Sequence, residues 1–160
     1  MKAAVITVSD RSYKGDYLDT SGEILQVGLR EFDYEIVEYI VVPDSITEIS
    51  NALQNAIMKN IDLIVTTGGT GISIKDVTPE ATRPFIQKEL PGFSESFRAF
   101  SRTEVATTDL SRGLAGINGN SLIINLPGSP SAVKDGLVII KRLAKHIHDQ
   151  LAGHDHIKSN

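Results

Sequence analysis

The sequence contains no cysteine. Disulfides, thiolate nucleophiles, iron–sulfur clusters and cysteine-built zinc sites are therefore excluded. An excess of positive charge is also missing, because 16 Lys and Arg stand against 20 Asp and Glu, a net charge of −4. With no global basic field there is no counterion-release drive toward nucleic acid. No nucleic-acid partner is expected, and any anionic ligand has to be held locally. Long apolar runs are absent too. None exceeds four residues (Ala3–Ile6, Tyr39–Val42, Leu137–Ile140), against the ~20 that span a bilayer. The apolar stretch after Met1-Lys2 ends at Ser9-Asp10-Arg11, too short for the core of a secretory signal. These absences predict a soluble, cytoplasmic protein with no membrane partner.

What remains is ordinary for a globular chain. Its 160 residues, 41% of them hydrophobic, with 13 glycines, predict one domain over residues 1–160. Ala3–Val8, Glu35–Val42 and Ile61–Thr67 are short, rich in Val, Ile and Thr, and bounded by polar or Pro/Gly clusters. They read as three buried strands. Thr20-Ser21-Gly22-Glu23 and Ser45-Ile46-Thr47-Glu48 fit capping boxes, each followed by apolar residues at helical spacing. Strand alternating with helix argues for a mostly parallel sheet with helices on both faces, an α/β fold.

The middle of the chain is less regular. Thr78-Pro79 reads as a cap and first helical residue, but Pro84 breaks an ordinary helix. A turn is expected there, followed by a separate segment Pro84–Leu90 that Pro91-Gly92 stops. Gly92–Arg102 can form another helix with Phe93, Phe97 and Phe100 on one face, suited to core or subunit packing rather than to stacking on a ligand. Asn118-Gly119, between Leu114–Ile117 and Ser121–Leu126, predicts a short antiparallel hairpin. Ser129-Pro130 opens a long helix with Val133, Leu137, Ile140, Ala144, Ile147 and Leu151 inward.

In a parallel sheet the loops at the carboxyl ends of the strands share one edge, and that edge holds ligands. Here it gathers Ser9, Asp10 and Arg11 after the first strand, Asp44 after the second, and TTGGTGISIKDVTPE after the third. Pro127, Gly128 and Ser129 follow the hairpin. Gly68, Gly69 and Gly71 strip side chains from the third loop and let main-chain N–H groups approach an anion; a bare strand-to-loop turn is the alternative. The triphosphate-loop pattern G-x-x-x-x-G-K-[ST] does not occur. A dinucleotide fingerprint needs glycine where Ile74 stands. Asp44 and Asp76 read alone as turn or capping residues, and read together as hard oxygen ligands for Mg²⁺. Arg11 and Lys75 can add positive charge. Ser9, Ser73 and Ser129 offer hydroxyls, with capping the plainer role. His146, His148, His154 and His156 cluster at the end of the last helix and beyond, a weak metal pattern best read as adventitious binding or plain solvent exposure.

TVSDRSYKGDYLDTSG, TTGGTGISIKDVTPEAT and NLPGSP resemble, in that order, motifs of the molybdenum-cofactor biosynthesis family. That family includes bacterial MogA and MoaB and the related domains of gephyrin and plant Cnx proteins. The resemblance covers nearly the whole chain and implies a homotrimer of MogA-like α/β domains. The implied activity is adenylyl transfer from Mg²⁺-ATP to the terminal phosphate of molybdopterin, with release of pyrophosphate, ahead of a downstream metal-insertion protein. Carried over by motif, Gly68, Gly69, Thr70 and Gly71 line the phosphate and pterin site; Ser9, Asp10, Arg11, Ser73, Pro127, Gly128 and Ser129 on the same edge are the further binding candidates. Asp44, through the string V-P-D-S, and Asp76 match the two functional, metal-holding aspartates. A non-catalytic molybdopterin carrier and a scaffold module are the alternatives the same family offers.

Overall fold

The computed structural model describes residues 1–153. His154 and His156 lie outside the described residues. Six strands form one sheet: β1 (Lys2–Val8), β2 (Glu35–Val42), β3 (Leu63–Thr67), β4 (Lys88–Glu89), β5 (Ala115–Asn118) and β6 (Ser121–Leu126). Their order is β2-β1-β3-β6-β5-β4. The pairs β1/β2, β1/β3 and β3/β6 are parallel, while β5 pairs antiparallel with both β6 and β4. The expected mostly parallel sheet with one antiparallel hairpin is present.

The central strands are apolar on both sides because each side is covered. Side chains alternate, so Ala3, Val5, Leu63, Val65, Leu122 and Ile124 build one core. Helices α2 (Thr20–Arg30), α5 (Pro91–Ser101) and α6 (Pro130–Leu151) cover that face. Ala4, Ile6, Val8, Ile64 and Ile123 build the second core, under α3 (Ile46–Met58) and α4 (Thr78–Thr82). From β1 the chain steps outward to β2 through α2, then back across β1 to β3 through α3. Two connections of one hand that move in opposite directions must lie on opposite faces, as α2 and α3 do. The reversal makes the β1/β3 boundary the switch point of the sheet, where the carboxyl-end loops diverge and leave a crevice.

Several expectations need correction. β2 is an edge strand rather than a buried one: Val37, Tyr39 and Ile40 are exposed and only Val42 is buried. The helix after the first loop is capped by Asp19, whose Oδ1 accepts from Gly22 N–H at 2.9 Å, one residue before the capping box read from sequence. Ser45 is an N-cap by position, but its hydroxyl makes no capping bond. Pro84 stands in a 3-10 turn, Arg83–Phe85, between α4 and β4. The segment Pro84–Leu90 thus contributes a two-residue strand against β5. Pro91 does not stop a helix but begins α5, where its missing N–H is no loss. Phe93 and Phe97 are buried, whereas Phe100 is 43% exposed. The hairpin forms as read, with Asn118 opposite Ser121 and Gly119 at φ +54°. In α6 Val133, Leu137, Ile140 and Ala144 are buried, and Ile147 and Leu151 pack partly against the same core.

Candidate functional site

The ends of β1 and β2 are tied together by two aspartates. Asp10 N–H donates to Asp44 Oδ2 at 2.8 Å, and Asp44 N–H donates to Asp10 Oδ1 at 3.1 Å. Ser9 N–H donates to Val42 C=O at 3.0 Å, and its hydroxyl caps the short helix α1 (Asp10–Tyr13). Lys75 reaches over from the third loop to pair with Asp10 Oδ2. That bond, then the N–H of Asp44, holds the Asp10 carboxyl below the ordinary carboxylate range, and the Lys75 ammonium is raised in turn. The Arg11 guanidinium lies 5.0 Å over the Tyr17 ring.

The glycine loop leaves β3 by a sharp turn. Gly68 adopts φ +104°, and a Cβ there would lie 2.3 Å from Val8 C=O. Its N–H is used by Leu126 C=O and its carbonyl by the Thr78 hydroxyl. The three amides that follow are different. Among the described residues, the N–H groups of Gly69, Thr70 and Gly71 have no hydrogen-bond partner. The loop closes on Asp76, whose Oδ2 accepts from Ser73 N–H at 2.8 Å and lies against Gly71.

The third contribution comes from the end of β6. The Thr67 hydroxyl donates to Pro127 C=O and the Ser21 hydroxyl to Gly128 C=O. These bonds bring Gly128 against Gly68, where a Cβ would lie 3.1 Å from the Gly68 Cα. Ser129 caps α6 through Ala132 N–H, and the first turn of this 22-residue helix carries no acidic side chain. Its N-terminus therefore presents uncompensated positive dipole.

All these pieces border one cleft of about 790 Å³. Of the phosphate, cofactor and metal candidates that sequence places on this edge, Ser73 alone stands outside the lining; its hydroxyl accepts from Lys75 N–H instead. The hydroxyls of Ser9 and Ser129 border the cleft but serve as helix caps. Sequence reading missed the far wall, formed by Val105, Thr107, Leu110 and Ser111, and the near rim at Tyr17 and Leu18. It also missed Arg112, which grips the glycine loop from behind. A lone Arg between a helix and a hairpin carries no local pattern that points to this.

Among the described residues no three His, Cys, Asp or Glu side chains gather as a metal cage. Among the described residues, Asp44 and Asp76 each use one oxygen on a main-chain N–H and have no hydrogen-bond partner on the other. The donor chemistry of such an oxygen suits a hard cation that keeps its waters and completes its shell with phosphate oxygens, as Mg²⁺ does.

Fold and site together define an α/β protein with a ligand cleft at the switch point of its sheet, lined by main chain, hydroxyls and carboxylates. The family model described as "Probable molybdopterin binding domain" matches residues 4–146, and the chain belongs to that family. A molybdopterin adenylyltransferase of Pyrococcus furiosus is 46% identical over 151 residues, 91% of this chain and 88% of that one. A molybdopterin adenylyltransferase of Helicobacter pylori strain J99 is 41% identical over 158 residues, 93% of this chain and 86% of that one. The crystal structure of a molybdopterin biosynthesis protein from Mycobacterium abscessus matches with a TM-score of 0.91 at 38% identity, covering 95% of this chain and 96% of that one. The resemblance read from the motifs holds over the full fold.

Proposed function

We propose that this protein is a molybdopterin adenylyltransferase, transferring AMP from Mg²⁺-ATP to the terminal phosphate of molybdopterin. The observation that carries the reading is the convergence, in one cleft, of three unpaired amides, a helix N-terminus and two half-free carboxylates. Relatives named for this activity support it.

The chemistry suits what the cleft holds. A phosphate monoester is already anionic near pH 7, so its oxygen attacks the α-phosphorus of ATP without a protein base. One P–O bond forms, the bond from the α-phosphorus to the bridging oxygen breaks, and pyrophosphate leaves with that electron pair. Among the described residues the lining contains no histidine, and the step requires none. The obstacle is repulsion between polyanions. A single pair of unit charges ~4 Å apart costs roughly 4 kcal/mol at an effective dielectric of ~20. The amides of Gly69, Thr70 and Gly71, the α6 N-terminus, Arg11 and Lys75 offset it by lying where the phosphates gather. Mg²⁺, held by the free oxygens of Asp44 and Asp76, would neutralise phosphate charge and fix the in-line geometry. The resemblance also carries assembly as a homotrimer and a downstream metal-insertion partner.

Purified protein given molybdopterin, ATP and Mg²⁺ is expected to release pyrophosphate and form adenylylated molybdopterin. No release above a protein-free control sinks the reading. Asp76→Asn should keep the fold and lose Mg²⁺-dependent turnover by roughly 10²-fold or more, the scale seen when a preorganised charge-stabilising group is removed; unchanged turnover removes Asp76 from the site.

A further inference from the structure

Arg112 does not border the cleft, yet it binds both ends of the loop that does. Its main-chain N–H donates to Thr70 C=O at 2.8 Å and its Nε to Gly71 C=O at 2.7 Å. A terminal nitrogen donates to Asp76 C=O, also at 2.7 Å. The terminal nitrogens pair with both carboxylate oxygens of Glu80 in α4. One rigid, planar donor fork thus spans the first and last residues of the segment 71–76 and anchors it to a helix. The guanidinium beside it holds the Glu80 carboxyl below the ordinary range.

What that fork controls follows from its neighbours. Within segment 71–76 the bonds are Ser73 N–H to Asp76 Oδ2, Asp76 N–H to Ser73 C=O and Lys75 N–H to Ser73 Oγ. The Asp76 carboxylate rests directly against Gly71, where a Cβ would come within 2.9 Å of its Oδ2. A shift of either gripped carbonyl therefore displaces the Asp76 carboxylate and the amides of Thr70 and Gly71 with it. The ion pair itself is 39% and 47% exposed on its two sides, and exposed pairs add little to global stability. An arginine committing its side chain to two loop carbonyls and an acidic anchor is organised around the loop's shape.

We propose that Arg112, braced by Glu80, is a positioning residue for adenylyl transfer: it sets the conformation in which residues 70–76 present the Asp76 carboxylate and the free amides of Thr70 and Gly71 to the cleft. This rests on the adenylyltransferase reading above.

The test compares wild type with Arg112→Gln, Arg112→Lys and Glu80→Gln. The measurements are kcat and KM, the Mg²⁺ concentration for half-maximal rate, the melting temperature, and the rate at which a lysine-specific protease cuts the Lys75–Asp76 bond. Lys75 is exposed, so cleavage reports the loop without reference to activity. Arg112→Gln is expected to lower kcat by about 10²-fold, the cost of a misplacement near 1 Å. It should also raise the half-saturating Mg²⁺ and speed the cut, while the melting temperature stays close to wild type. Arg112→Lys should not rescue, since an ammonium cannot make the fork. Glu80→Gln keeps the bonds to the carbonyls and should shift the same readouts by a smaller factor. Unchanged Mg²⁺ dependence and cleavage rate, with or without a fall in melting temperature, overturn the proposal. If Arg112→Gln does not fold, Glu80→Gln decides on the same criteria. An inactive wild type would sink the adenylyltransferase reading alone, and the cleavage arm would still report whether Arg112 holds the loop.

Discussion

Gly68 bears two constraints at once. Its φ of +104° is a conformation L residues rarely adopt, and a Cβ would collide with the main-chain oxygen of Val8. Neither can relax by moving a side chain, because the obstacle is the end of β1. Gly68→Ala is therefore expected to cost roughly 1–3 kcal/mol, the range for strained backbone, and to distort the cleft as well. Gly92, in the first turn of α5, has open space around its would-be Cβ. Gly92→Ala should be neutral or stabilising by up to about 1 kcal/mol. Urea titration of both variants checks the contrast, and equal stabilities would refute it. At this scale sequence reading found the right loop but not the division of labour inside it. Gly68 serves the close approach of strands, while the amides left free belong to Gly69, Thr70 and Gly71. Likewise Asp10 and Asp44, separated by 34 positions, pair with each other's main chain. A sequence prints each as one turn aspartate and gives no sign of the exchange.

At the scale of elements, helix α6 carries a titratable group into its buried side. His148 lies against Tyr34, ring centroids 6.0 Å apart, and its buried Nε2 has no hydrogen-bond partner among the described residues. Burial lowers the His148 pKa from its ordinary 6.5, although Asp62 and Asp149 pull the other way and the Met1 amino group adds to the lowering. Burial also pushes the Tyr34 phenol up to about 12, so it stays neutral throughout. Because the folded pKa lies below the unfolded one, the unfolded chain takes up the proton first. Stability is thus greatest above about pH 6.5 and falls as pH drops through that value toward the folded pKa. His148→Phe removes the titrating group, and its melting temperature should fall less than that of wild type between about pH 7.5 and about pH 5.5. Parallel curves would show that other groups set the pH dependence. Helices with a clear apolar stripe, α2, α3 and α6, were legible because burying one face repeats every 3.6 residues. α4, β4 and the 3-10 turn at Arg83–Phe85 were not. They are too short for periodicity, and β4 exists only because β5 offers it an edge.

For the whole molecule, the cleft draws on five regions distant in sequence: residues 7–21, Asp44, the glycine loop to Asp76, the wall at 105–111, and the turn into α6. The edge strand β2 leaves Val37, Tyr39 and Ile40 exposed, apolar surface of the kind that association covers. If the homotrimer proposed from the family resemblance forms, light scattering coupled to size exclusion returns three times the chain mass. A single-chain mass at micromolar concentration would remove the trimer. Among the described residues no helix is long and apolar enough to cross a membrane, in line with the short apolar runs.

Composition, hydrophobic period and loop chemistry by themselves determined the alternation of strands and helices, the parallel sheet and the edge that holds the cleft, and the motif resemblance determined the family. Each of these depends on neighbours along the chain or on a motif written in consecutive residues. Only the tertiary structure decided that β2 lies at an edge, that Arg112 clasps the glycine loop, that Ser73 faces away and that residues 105–111 complete the wall. Those facts depend on which segments meet after the sheet has formed, and contacts across more than thirty residues leave no period in the sequence.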